Sequence, residues 1–175
     1  TIYREEVVMA ERMNNLTGKE WLQNSFTIWR DVVKTQEERA TKHPALFPQE
    51  LVEKLIRLYL RDSGSVVLDP FMGIGSTMLA SMNQGMHGIG FDLNENYCRT
   101  SKKRIESFQG TLTSGYGFPT PVIHNKDSRK ISEVIDECSV DLVVTSPPYW
   151  DILNQKRTAD GKIIRNYSSD TEDLG

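Results

Sequence analysis

The chain has 175 residues, of which 38% are hydrophobic and 26% are charged, and its formal net charge is −3. This composition is typical of a globular domain with its own core, and no apolar run approaches the length of a membrane span. The two cysteines, Cys98 and Cys138, are too few for a disulfide framework or a metal cluster. We therefore expect a cytoplasmic protein with no metal site. A self-sufficient nucleic-acid binder usually carries a basic surplus, so this chain either has a local basic patch or lacks its main nucleic-acid-binding part.

The first 42 residues predict a helical segment that precedes a larger domain at 43–175. Thr17 and Glu20 have the spacing of a capping box, which marks the start of a helix. Apolar side chains then recur with helical spacing, which predicts one amphipathic helix. Its inner face would be formed by Leu22, Phe26, Trp29 and Val33.

From Pro48 onward the pattern alternates between helices and strands. Pro48 suits the first turn of a helix, and Gly64 would close that helix. Alternation of this kind indicates a parallel sheet with right-handed crossovers, so we predict an α/β, Rossmann-like domain with flanking helices. A complete sheet of this type needs about two strands more than the chain offers, so we expect the C-terminal strands to be missing. The predicted strands are 65–68, 87–91, 122–124 and 140–144, and the predicted helices between them are 77–83, 95–108 and 132–137.

A glycine-containing loop, Asp69–Thr77, follows the first predicted strand. Gly73 and Gly75 permit a tight turn and a close backbone approach, and the helix that follows offers free N–H groups. The dinucleotide fingerprint is not matched, because no third glycine follows at the required spacing. A carboxylate at Asp69 would repel a pyrophosphate. The loop therefore favours a ligand with positive charge, such as S-adenosylmethionine.

Acidic residues also follow the second and third predicted strands. Asp92 lies about 20 residues after the first glycine, where nucleotide-binding α/β folds place an acid on the ribose hydroxyls. Asp127 follows the third strand, and it would either contact the same ligand or act as a helix cap or solvated loop acid. The carboxyl ends of parallel strands share one edge, so three strands would carry acids to the same place.

The last predicted strand leads into Thr145-Ser146-Pro147-Pro148-Tyr149-Trp150. The prolines fix φ and lack N–H groups, so they stiffen the loop and leave its carbonyls as acceptors. Such a loop could hold a planar amino group between rigid acceptors, with an aromatic ring beside it. The alternative is an ordinary strand followed by a proline turn.

The two loops together resemble those of the DNA amino-methyltransferases, which modify exocyclic nitrogens of bases. Asp69–Ser76 is similar to the family's S-adenosylmethionine loop, and Thr145–Trp150 is similar to its catalytic loop. The segment 43–48 is similar to the segment that closes over the methionine end of the cofactor. The residues of these motifs resemble those of the family members in which the catalytic loop precedes the cofactor loop along the chain. In this chain the cofactor loop comes first.

The resemblance implies a role for individual residues. Asp92 would bind the ribose hydroxyls, and Asp127 would bind the adenine amino group. Ser146 and Pro147 would accept hydrogen bonds from the target amino group, and Tyr149 would stack on the base. The implied catalytic residues are Ser146, Pro147, Pro148 and Tyr149, and the implied cofactor residues are Phe47, Pro48, Asp69, Phe71, Gly73, Gly75, Ser76, Thr77, Asp92, Leu93, Asp127 and Thr145.

The resemblance also implies a reaction and its partners. The enzyme would transfer a methyl group from S-adenosylmethionine to a base flipped out of duplex DNA, and Ser-Pro-Pro-Tyr favours N4 of cytosine. Methylation of adenine N6 or of RNA by the same fold is the alternative. A further alternative is a non-catalytic half of a split enzyme, with a second polypeptide supplying the missing half or the target recognition.

Overall fold

The computed structural model describes residues 12–41, 46–111 and 117–148, and the remaining residues lie outside the described ranges. Four strands in these ranges form one sheet in the order β3-β2-β1-β4, and every neighbouring pair is parallel. The predicted parallel α/β architecture is therefore confirmed. The strands are β1 (Val66–Asp69), β2 (His87–Phe91), β3 (Val122–His124) and β4 (Leu142–Val143).

The strand order places a reversal between β1 and β4, which are neighbours although β2 and β3 lie between them in sequence. In open α/β sheets, ligands bind outside the carboxyl ends of the strands at such a reversal. Asp69 ends β1, and Thr145 follows β4 closely, so both predicted loops begin at this place.

Helices cover the sheet and enclose two apolar clusters. In one cluster Val52 and Ile56 pack against Val67 of β1, and in the other Met78 and Cys98 are buried together. No helix within the described ranges is long and apolar enough to cross a bilayer. The helices are α1 (Gly18–Asn24), α2 (Gln36–Ala40), α3 (Gln49–Tyr59), α4 (Ser76–Asn83) and α5 (Glu95–Thr111), followed by a 3₁₀ helix at Ser128–Glu133.

The predicted long N-terminal helix is wrong, although its start is correct. The capping box of Thr17 and Glu20 is present, but α1 ends at Asn24. The side chain of Asn24 donates to Glu20 O, and Ser25 Oγ donates to Leu22 O. Such side-chain bonds to carbonyls compete with continuation of the helix. The side chains assigned to its inner face therefore do not form a core, and Leu22, Phe26 and Val33 are exposed.

The charged stretch after residue 34 contains a short helix, α2, that was not predicted. Thr35 and Glu38 form its capping box, and Glu38 is buried. Oε1 of Glu38 also accepts a hydrogen bond from Gln49 N at 2.6 Å, at the start of α3. Pro48 is the N-cap of α3 rather than part of its first turn, and its side chain makes no capping hydrogen bond. Glu38 therefore supplies the missing cap from a distant part of the chain.

The described part of the N-terminal segment packs on α3. Asn14 Nδ2 donates to Leu58 O at 2.6 Å, and Lys54 Nζ pairs with Asp31 at the same distance. The same ammonium group lies 5.1 Å from the centre of the Trp29 ring. These contacts hold residues 12–41 against the sheet domain through polar and aromatic groups.

Two later elements differ from their predicted bounds. The short helix lies at Ser128–Glu133 instead of 132–137, because the Asp127 side chain accepts from Arg129 N and starts it early. β4 pairs only over Leu142–Val143, which is shorter than the predicted 140–144.

Candidate functional site

The glycine loop is held tightly between the sheet and α5. Gly73 and Gly75 have φ of 53° and 82°, in the left-handed region that favours glycine, and Gly75 is the N-cap of α4. A Cβ on Gly75 would lie 1.9 Å from Ser101 Oγ of α5. Only glycine fits there, because the loop packs closely against α5 at this point.

Asp92, at the end of β2, contacts this loop, and its contact with ribose hydroxyls stays a prediction. Its Oδ2 accepts from Gly73 N at 2.9 Å, and its Oδ1 accepts from Asn94 N at 2.8 Å. Asn125, at the end of β3, donates to the carbonyls of Asp92 and Leu93 at 3.0 and 2.8 Å. The ends of three neighbouring strands are thus joined by hydrogen bonds around one carboxylate.

Asp69 is fully buried at the end of β1. Its carboxylate accepts from Thr77 Oγ1 at 2.6 Å and from Phe71 N at 3.1 Å, and the Thr145 side chain is a third hydrogen-bond partner. Burial raises the pKa of this carboxyl to about 6, although the hydrogen bonds act in the opposite direction. The side chain of Asp69 organises the loop from within. Its expected role toward a cationic ligand stays a prediction.

The predicted catalytic loop begins beside Asp69. Val144 N donates to Leu68 O at 3.0 Å, and this backbone contact extends the pairing of β1 with β4. Thr145 and Pro147 are exposed, and Ser146 is half-buried. The two predicted loops therefore meet at one edge of the sheet. Tyr149 and Trp150 lie outside the described residues.

Other predicted cofactor residues lie around this edge. Phe47 is half-buried and packs against the apolar cluster that also receives Val144. Leu93 is 37% exposed directly after Asp92, so it offers an apolar surface beside that carboxylate. Ser76 and Thr77 are buried in the first turn of α4, and Thr77 contacts Asp69 rather than open space. His43 lies outside the described ranges.

Asp127 acts as a helix cap, one of the two interpretations of its position. It accepts from Arg129 N at 2.9 Å and from Arg129 Nε at 2.8 Å. These hydrogen bonds lower the pKa of Asp127 to about 2. Its contact with an adenine amino group stays a prediction.

Arg104 of α5 contacts the glycine loop, which the sequence did not predict. The guanidinium is buried, and its Nη1 donates to Ile74 O in the glycine loop at 2.8 Å. Helical spacing could have indicated that Arg104 is buried, because Cys98, Ser101 and Ile105 lie inward on the same helix. Cys98 is a packing residue of an apolar cluster, whereas Cys138 is exposed.

Comparison with known families gives the same assignment as the two loops. The sequence model of a family described as DNA methylase matches residues 4–103 of the chain. The chain belongs to the DNA amino-methyltransferase family. The predicted resemblance is therefore confirmed, and S-adenosylmethionine is the cofactor of this family.

Individual members of the family match over part of their length. The orphan methyltransferase M.BamHII of Bacillus amyloliquefaciens is 33% identical over 107 residues, which cover 57% of this chain and 40% of the relative. The type II methyltransferase M.BglI of Bacillus subtilis is 30% identical over 122 residues, which cover 69% of this chain and 30% of the relative. The chain thus spans less than half the length of these two relatives.

Among solved structures, the chain is similar to a putative DNA modification methylase of Thermus thermophilus, TTHA0409, solved in complex with S-adenosylmethionine. The identity is 24%, the match covers 70% of this chain and 44% of the other, and the TM-score is 0.46.

Proposed function

We propose that this chain carries the catalytic machinery of an S-adenosylmethionine-dependent DNA methyltransferase that modifies the exocyclic amino group of a flipped-out base, with cytosine N4 as the target. The observation that carries the proposal is the contact between Thr145 and Asp69. It brings the start of the Ser-Pro-Pro loop against the start of the glycine loop. A methyl donor on one loop and an amine on the other would then share one cleft.

The residues around the glycine loop fit S-adenosylmethionine. Gly73 and Gly75 leave a backbone surface without Cβ atoms, Asp92 offers a carboxylate for ribose hydroxyls, and Leu93 offers an apolar surface for a purine. Phe71 is half-buried in the same loop. S-adenosylmethionine supplies an electrophilic methyl group on a sulfonium. The Asp92 carboxylate gives the edge the negative charge that suits this cation.

Ser146 and Pro147 would act on the nucleophile. The lone pair of an aromatic amine is delocalised into its ring, which makes the nitrogen a weak nucleophile. Hydrogen bonds from the amino group to the Ser146 hydroxyl and the Pro147 carbonyl favour a more tetrahedral nitrogen and stabilise the positive charge that develops on it. Pro147 and Pro148 keep the acceptors fixed, because their φ angles cannot vary.

The reaction needs no covalent intermediate on the enzyme. Alignment of amine and methyl group carries much of the rate in a direct transfer. Cys98 lies near this edge, but it is buried, and burial raises the pKa of its thiol to about 11. A neutral, buried thiol is a poor nucleophile, which is consistent with a packing role.

The choice of cytosine depends on Ser146, because Ser-Pro-Pro-Tyr in this family favours cytosine and Asp-Pro-Pro-Tyr favours adenine. Adenine N6 or RNA methylation is the alternative within the same fold. A non-catalytic half of a split enzyme is the second alternative.

The test is incorporation of tritiated methyl groups from S-adenosylmethionine into unmethylated DNA and RNA, followed by nucleoside analysis. N4-methylcytosine in DNA, lost with Ser146→Ala, is the expected result. N6-methyladenine or methylated RNA would replace the proposed substrate. Incorporation that requires a second polypeptide would support the split enzyme, and a chain that neither binds S-adenosylmethionine nor methylates would overturn the proposal.

A further inference from the structure

The glycine loop contacts a buried guanidinium. Arg104 of α5 is 8% exposed, and its Nη1 donates to Ile74 O at 2.8 Å. Its Nε donates to Glu37 Oε1 of α2 at 2.8 Å. One side chain therefore joins the loop between the two glycines to the N-terminal segment, across elements that are distant in sequence.

The surroundings of this guanidinium are polar and closely packed. Ser76 Oγ, Ser101 Oγ and Arg104 Nη2 are buried and have no hydrogen-bond partner within the described ranges. Burying a charge and unpartnered polar atoms is costly, and an ion pair with an exposed carboxylate contributes little stability. The main role of the Arg104 guanidinium is therefore to fix the position of the Ile74 carbonyl.

The Ile74 carbonyl lies between the two glycines whose conformation defines the loop. Gly73 N reaches Asp92 Oδ2 at 2.9 Å, and Gly75 N donates to Met72 O at the same distance. Rotation of the Ile74–Gly75 peptide, which carries Ile74 O, would turn Gly75 N away from Met72 O. A planar guanidinium can bond Ile74 O and Glu37 at once, whereas a lysine ammonium is a single point charge on a flexible stem.

We propose that Arg104 is a positioning residue of the cofactor site, held in place by Glu37, so that α2 belongs to the machinery of the glycine loop. The part of this inference that concerns cofactor affinity rests on the proposed function. The part that concerns loop conformation does not depend on it.

The first test is amide hydrogen exchange, measured by NMR on the full chain without ligand. In Arg104→Met we expect the Gly73 and Gly75 amides to exchange about tenfold faster, relative to the Val67 amide of β1, because a charged hydrogen bond is lost. The same two amides should also exchange faster in Arg104→Lys than in wild type. The matched control is Arg99→Met, an exposed arginine on the same helix, which should stay within about twofold of wild type. Equal changes at Val67 and at the loop, or no change at the loop, would overturn the proposal.

The second test separates Glu37 from Arg104. Glu37→Gln keeps the shape of the side chain and removes its charge, and its carboxylate is 61% exposed, so the variant should fold. Loop exchange should rise, but less than in Arg104→Met, because the bond to Ile74 O remains. If the loop amides of Glu37→Gln exchange at the wild-type rate, α2 does not help to position the glycine loop.

The third test is calorimetric titration with S-adenosylhomocysteine. Arg104→Met should bind it about tenfold more weakly than wild type and than Arg99→Met. If wild type does not bind S-adenosylhomocysteine while loop exchange still rises in Arg104→Met, the proposed function fails and the positioning role stands. If wild type binds and Arg104→Met binds equally well, the positioning role is wrong.

Discussion

The side chain of Thr145 hydrogen-bonds with the buried carboxylate of Asp69, which joins the segment after β4 to the end of β1. Asp69 also accepts from Thr77 of α4 and from the backbone of Phe71. A single carboxylate therefore connects the proposed catalytic loop, the glycine loop and the helix that follows it. Any change in the charge of Asp69 will act on all three.

The first prediction concerns pH. Burial raises the pKa of Asp69 from 3.8 to about 6, so between these values the folded protein binds more protons than the unfolded chain. The contribution of Asp69 to the free energy of unfolding is therefore present below about pH 4 and is lost as the pH rises through about 6, by up to roughly 3 kcal/mol. Asp69→Asn removes this titration. Its carbonyl can still accept from Phe71 N, and the hydroxyls of Thr77 and Thr145 can reverse to accept from its amide.

The stability of Asp69→Asn relative to wild type should consequently rise between about pH 4 and pH 7. Urea unfolding at one-unit pH intervals measures the difference. Asp62→Asn, the same change at an exposed position, is the matched control. A pH-independent difference for Asp69→Asn would mean that this carboxyl keeps its ordinary pKa in the fold.

The second prediction compares two glycines with similar backbone geometry. Gly75 and Gly85 have φ of 82° and 72°, but an added Cβ meets Ser101 Oγ at 1.9 Å in the first case and nothing within 4 Å in the second. Gly85→Ala should cost about 1 kcal/mol from the left-handed backbone alone. Gly75→Ala should cost roughly 2–4 kcal/mol, because overpacking adds to the same backbone term.

Chemical denaturation of both variants measures these costs, and a second-site change tests their cause. Ser101→Gly removes the side chain that the new Cβ would meet, at about 1 kcal/mol of helix propensity. Combined with Gly75→Ala, it should cost less than the sum of the single changes. Additive losses would show that the contact between Gly75 and Ser101 is not what excludes alanine.

The parts of the fold that follow from local pattern were predictable. Hydrophobic runs and turn residues placed β1 to within one residue and placed β2 and β3 at their observed bounds. The spacing between the first strand and Asp92 predicted a carboxylate at the glycine loop, and its oxygen accepts from Gly73 N. Parallel strands require their ends to share one edge, so the meeting of the two loops also followed from the sequence.

The parts that failed depend on side-chain hydrogen bonds that the hydrophobic pattern does not show. The end of α1 is set by the side chains of Asn24 and Ser25, which compete with an apolar periodicity that continues beyond them. The burial of Glu38 depends on Gln49 N. Arg104 could not be identified as buried, because Ile74 O and Glu37 come from elsewhere in the chain. A charge enters the interior only where the fold supplies its partners, and composition alone does not show them.

The third prediction tests whether Asp92 binds the cofactor as well as the loop. Asp92→Ala should lower affinity for S-adenosylhomocysteine by about 100-fold, because the ribose partner and the partner of Gly73 N are both lost, each at roughly 1–3 kcal/mol. Asp92→Asn keeps a carbonyl acceptor for Gly73 N, so its loss should be smaller. Calorimetric titration gives the affinities, and denaturation gives the stabilities. Asp136→Ala, at an exposed acid, is the control. Loss of stability in Asp92→Ala with unchanged affinity would leave Asp92 a structural role only.

The fourth prediction separates chemistry from binding. Ser146 is half-buried in the loop that begins at Thr145, and its hydroxyl is the proposed acceptor for the target amino group. The hydrogen bond strengthens as positive charge develops on the nitrogen, so Ser146→Ala should lower turnover by about 10²–10³-fold. Affinity for S-adenosylhomocysteine should stay within about twofold of wild type, because Asp92 and the glycine loop are untouched. The matched control is Ser139→Ala, an exposed serine whose hydroxyl donates to Asp136 O, and it should retain full turnover. Single-turnover methylation rates and titrations on the same preparations measure both quantities. A parallel loss of cofactor binding in Ser146→Ala would instead place this hydroxyl among the groups that hold the cofactor.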